Sequence, residues 1–151
     1  MKKEKLMSWV GILLFVAVIG VTAFILINSF MDVSSSHNLS EKVTVIVSPK
    51  GVYGLEDIVR KLAHVVEFFA LGVFTMLLSV FLHYRWKRNG IGFVLFYVLA
   101  VAVLDEHIQT FSDRTGSTSD ILLDFLGAFI GIALVWAVFK IARLIKTKKK
   151  S

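Results

Sequence analysis

The chain has 151 residues, 56% hydrophobic and 19% charged, with a mean hydropathy of +0.76, against about 45–50% apolar and about 25% charged in a typical soluble domain. A water-soluble core of this size cannot hold that much apolar side chain, which excludes an ordinary soluble domain. The absence of cysteine excludes disulfides and thiolate metal sites, and the formal charge of +6 acquires meaning only from where the charges fall.

Residues 1–8 carry Lys2, Lys3 and Lys5, and the apolar stretch 9–30 follows. A spanning helix needs about 20 residues to cross about 30 Å of hydrocarbon, and this stretch meets that length unaided. The alternative is a cleaved signal peptide. The stretch is longer than an ordinary signal region and no clear A-x-A site follows, so a retained first span is expected. Residues 31–56 form an outer connection. Ser34, Ser35 and Ser36 read as loop there, residues 43–47 are β-branched enough for a short strand of a β-hairpin, and Ser48, Pro49, Lys50 and Gly51 read as a turn. Pro49 is the sole proline, so nothing interrupts the helices that follow.

The next three apolar stretches, 62–82, 91–104 and 121–139, are each short unless polar neighbours are drawn in. Residues 91–104 cover only about 21 Å at 1.5 Å per residue. To span, that helix must continue through Asp105, Glu106, His107 and Gln109. The second span then covers 57–83 and includes His64 and Glu67; the third covers 91–109; the fourth covers 119–142 and begins with Asp120 and Asp124. A loop at 84–90, a second outer loop at 110–118 and a basic tail at 143–151 complete the reading.

The basic residues fix the expected orientation. With four spans, 12 of the 17 fall on one side, in the N-terminus, the 84–90 loop and the C-terminal end, and only Glu4 of the 11 acids joins them. That side carries a net +11 and the other −5, which together give the +6. The positive-inside rule puts the basic side in the cytoplasm, with both termini. The charge is thus a topology signal rather than a nucleic-acid footprint, and the lysine tail suits anionic inner-leaflet lipid. The fold class expected is all-α, a four-helix transmembrane bundle, N-in/C-in, in a plasma membrane.

Antiparallel connection brings the polar residues of the last three spans to the same outer end. Arg60, Lys61, His64 and Glu67 follow helical spacing and share one face. Asp105 and Glu106 each reach Gln109 within one turn. Asp120, Asp124, Gly127 and Gly131 form one stripe, whose Gly-x-x-x-Gly pattern allows close helix approach. Ionisable groups at such depth face a bundle interior or a water-filled cavity.

These residues resemble a known family. Arg60-Lys61-x-x-His64-x-x-Glu67, followed by Leu71-Gly72, looks like the first motif of the VanZ-like membrane proteins. Asp105-Glu106-His107-x-Gln109-x-Phe111-x-x-Arg114, with Asp120, Asp124, Gly127 and Gly131, is similar to that family's second block. The resemblance covers roughly residues 57–131 and implies a VanZ-like domain over about 57–140. Two departures stand out: Ser112-Asp113 precedes Arg114 where the family often has Pro-Gly, and Asp124 stands where Asn is common. The resemblance implies a small bacterial membrane protein, in a family whose name-giving member is associated with low-level resistance to the lipoglycopeptide teicoplanin. It brings no settled biochemical activity.

Three readings of the constellation stay open. In the first, Arg60, Lys61 and Arg114 pair with Glu67, Asp105, Glu106, Asp120 and Asp124 as structural ties. In the second, Arg60, Lys61, His64, Glu67, Asp105, Glu106, Gln109, Arg114, Asp120 and Asp124 line a pocket for a phosphate-bearing or peptidic headgroup. Its candidates are membrane lipids, a lipid-linked cell-wall precursor or the lipoglycopeptide itself, because guanidinium groups suit phosphate and carboxylate. In the third, His64, Glu67, Asp105 and Glu106 act as acids and bases. No G-x-S-x-G or H-E-x-x-H motif supports catalysis, so a binder is expected before an enzyme. A metal held by His64, Glu67, Asp105 and His107 is an alternative not adopted, because His107 is rotated off the polar face; no metal or cofactor is expected.

Overall fold

The computed structural model describes residues 2–30, 55–86, 90–111 and 118–148. Among these, the regular structure is all helical, in four elements: α1 (Lys2–Phe30), α2 (Leu55–Trp86), α3 (Ile91–Gln109) and α4 (Thr118–Lys148). No strand occurs among the described residues, and the strand and turn expected at 43–51 lie outside them, as does Arg114. Each helix contains a segment long and apolar enough to cross a bilayer: Trp9–Phe30, Ile58–His83, Ile91–Gln109 and Thr118–Lys148. All-helical spans follow from the solvent, since hydrocarbon offers no partner for a backbone group left unbonded.

Segment length decides which residues are drawn in. The 19 residues of α3 span about 28 Å, so its last turn, with Asp105, Glu106 and Gln109, belongs to the crossing. The helix starts without a side-chain cap at Gly90, and its end is closed by Thr110, whose Oγ1 donates to the His107 carbonyl at 2.6 Å. At the other extreme, α4 continues as helix to Lys148, past the apolar stretch and into the lysines.

The helices alternate in direction. α2 and α3 form the middle of the bundle, each packed against both α1 and α4, and α1 and α4 do not touch. The largest interface is between α2 and α4. Glycine makes it possible. A Cβ at Gly127 would stand 2.6 Å from the Val65 carbonyl oxygen, one at Gly131 would collide with the Phe69 carbonyl, and one at Gly72 with that of Ala128. The Gly127-x-x-x-Gly131 stripe expected to pack does so, and α2 answers with its own Gly72.

Phe68, Leu71, Met76, Val94, Val98, Ala102, Ala128 and Ile132 make up most of the core. The outside is as apolar as the inside: Phe93 is 72% exposed and Phe96 69%. That pattern fits lipid as the surrounding medium, where apolar exteriors are favourable and packing, not exclusion of water, holds helices together.

Candidate functional site

The C-terminal ends of α1 and α3 meet the N-terminal ends of α2 and α4, and nearly all the buried polar side chains gather there. Asp105 is fully buried at the centre. It accepts hydrogen bonds from Ser29 Oγ of α1 and, at 2.8 Å, from Gln109 Nε2 one turn further along α3. The imidazole Nδ1 of His64, on α2, lies 3.6 Å from Oδ2, the same oxygen that accepts from Gln109. One carboxylate thus touches three helices. Beside it, Asn28 Nδ2 of α1 donates to Glu67 Oε1 at 3.0 Å. Glu106 and Asp124 are also buried, 6% and 2% exposed.

Towards the membrane surface the cluster opens. Lys61 Nζ stands 3.8 Å from Asp120 Oδ1, both partly exposed. Arg60, Lys61, His64, Gln109, Asp120 and Asp124, with Leu123, line a cleft of about 20 Å³, room for about one water molecule. Nine of the ten residues singled out from the sequence therefore lie at one end of the bundle, and the tenth, Arg114, is outside the described residues. His107 is exposed and rests edge-on against the Phe111 ring at 5.2 Å, away from the cluster, as its helical phase predicts.

Among the described residues, two cations, Arg60 and Lys61, face five carboxylates: Glu67, Asp105, Glu106, Asp120 and Asp124. The cluster splits by depth, with the cations at the rim and four of the carboxylates inside. A ligand anion can be met at the mouth, while the interior suits a cation.

α1 carries more than the sequence reading assigned to it. Its span carries no charge, yet it supplies Asn28 and Ser29 to the two central carboxylates, and Thr22 pairs with Tyr97 of α3 at 2.8 Å. The signal was present: Asn28 and Ser29 are an adjacent polar pair in the last turn of a stretch otherwise nearly free of polar residues.

A cavity of about 430 Å³ lies at the opposite end between α2, α3 and α4, lined by Met76, Val80, Ile91, Trp136 and Phe139 with His83, Lys140 and Arg143. Lys140 and Arg143 bring charge into the lining. Lys140 Nζ sits 4.8 Å over the Trp136 ring.

Four spanning helices, a lipid-facing apolar exterior and a polar cluster at one end define a multi-pass membrane protein. The chain belongs to the VanZ/LLP1 family, whose model matches residues 11–141 and so takes in α1 as well as the segment that carries the motifs. Comparison with curated proteins and with solved structures gives no match.

Proposed function

We propose that this protein binds a phosphate-bearing lipid headgroup at the outer face of a bacterial cell membrane, and through it contributes to tolerance of lipoglycopeptide antibiotics of the teicoplanin type. The observation that carries the reading is the placement of Arg60 and Lys61 on the first turns of α2, at the mouth of the cleft shared with Gln109, Asp120 and Asp124. The cleft is too small to enclose a phosphate, so the headgroup sits on its rim. There the guanidinium and ammonium groups meet the phosphate, and the inner acceptors take hydroxyl or amide donors. The acyl chains lie along the apolar exterior of the bundle. The outward placement follows the distribution of Lys and Arg.

Purified protein incubated with labelled lipid-linked wall precursor and with phosphatidylglycerol tests this. Retention without chemical change, reduced in Arg60→Gln and Lys61→Gln, is the expected result. Retention unaffected by either variant would end the headgroup reading, and covalent turnover would mean an enzyme.

A structural reading has one specific observation in its favour, the contact of Asp105 with α1, α2 and α3 together. It accounts for Asp105, Ser29 and Gln109. The Lys61–Asp120 pair adds one partly exposed tie between α2 and α4, worth about 0–1 kcal/mol, and fewer groups would tie the helices together.

A further inference from the structure

We propose that His64, Asp105 and Asp124 form a binding site for one divalent transition-metal cation, of the Zn²⁺ or Mn²⁺ class, between α2, α3 and α4. An imidazole nitrogen and one oxygen from each carboxylate all lie within 4.8 Å of one another. Metal–ligand bonds of about 2.0–2.2 Å allow at most about 4.4 Å between two ligands of one ion. Small side-chain adjustments close the difference.

Charge makes the second argument. Asp105 and Asp124 are 0% and 2% exposed. Asp105 has Ser29 and Gln109 as donors, whereas no described residue donates a hydrogen bond to Asp124 or forms an ion pair with it. A carboxylate buried at membrane depth without a donor calls for a cation against it. Asp124 faces the same cleft that His64 and Gln109 line, and that space matches a single ion or water.

The surrounding bonds are those of a metal ligand's outer shell. Ser29 and Gln109 hold the Asp105 carboxylate in one orientation. The His64 Nδ1–Asp105 separation of 3.6 Å is too long for a hydrogen bond and leaves the pair poised around a shared atom. Imidazole among the ligands selects against Mg²⁺ and Ca²⁺, which take oxygen alone. The site closes the cluster's interior in the way Lys61 and Asp120 close its rim, and it does not depend on the headgroup reading.

The test uses the full chain in detergent, stripped with chelator, dialysed, and titrated separately with ZnCl₂ and MnCl₂. The expected result is saturation at about one equivalent per chain. His64→Gln and Asp124→Asn should each weaken binding by more than the about 10–100-fold that loss of an outer-shell partner costs, and His107→Gln should leave it unchanged. Absence of saturable binding to the wild-type chain overturns the proposal, as does undiminished binding in either variant when folded. Should both variants fail to fold, X-ray absorption of the zinc-loaded wild-type protein decides: an imidazole in the first coordination sphere supports the site, and an all-oxygen sphere overturns it. Arg60→Gln and Lys61→Gln, read by lipid retention, report on the headgroup reading alone.

Discussion

Asn28, in the last turn of α1, donates a 3.0 Å hydrogen bond to Glu67, three turns into α2. Glu67 in turn presents a second oxygen, Oε2, that is buried and has no hydrogen-bond partner among the described residues. A helix that could have served as a plain anchor is thereby fastened to the polar cluster, and the cluster's cohesion depends on it.

Replacing Asn28 with Ala removes the donor and strands the Glu67 carboxyl. The bundle should lose about 1–2 kcal/mol, between the average interhelical hydrogen bond in membranes and the cost of an orphaned buried group. Thermal unfolding in detergent measures it. Combining Asn28→Ala with Glu67→Leu should cost less than the two single changes added, because the second removes what the first leaves unsatisfied.

The glycine seam gives a sharper contrast. Gly127→Ala places a methyl 2.6 Å from the Val65 carbonyl, and Gly72→Ala drives one into the Ala128 backbone, where no side chain can move aside. Each should cost about 1–3 kcal/mol or force α2 and α4 apart. Gly20→Ala and Gly92→Ala meet nothing within 4 Å and should be neutral or slightly stabilising. Equal effects in the two sets would contradict the packing.

Lys61→Gln separates function from stability. Its ion pair with Asp120 spans 3.8 Å between partly exposed groups, so losing it should change stability by about 0–1 kcal/mol. Lipid retention and growth in teicoplanin should both fall in the same variant. A variant equally unstable and inactive would favour the structural role.

Orientation has its own check. Reporter fusions after Arg88 and after Ser117 should mark opposite sides of the membrane, with Arg88 on the cytoplasmic side. Both on one side would be incompatible with four spans in alternating order.

Much of this molecule is legible before folding is considered. Apolar runs of the length of a bilayer must become helices, because nothing else satisfies their backbones in lipid, so the number and extent of the spans follow from composition alone. Alternating direction then sends Arg60, His64, Asp105 and Asp124 to one end without any knowledge of packing. The Gly127-x-x-x-Gly131 spacing names one face of the closest helix pair. Tertiary structure alone decided the partners. That Asp105 meets Ser29, Gln109 and His64 together, that Asn28 rather than a cation answers Glu67, and that Asp124 is left facing a cleft all depend on helix rotation and lateral order. Periodicity fixes which residues share a face but not which neighbour that face meets. In lipid no solvent gradient chooses for it, and the choice falls to close packing and to the pairing of buried polar groups.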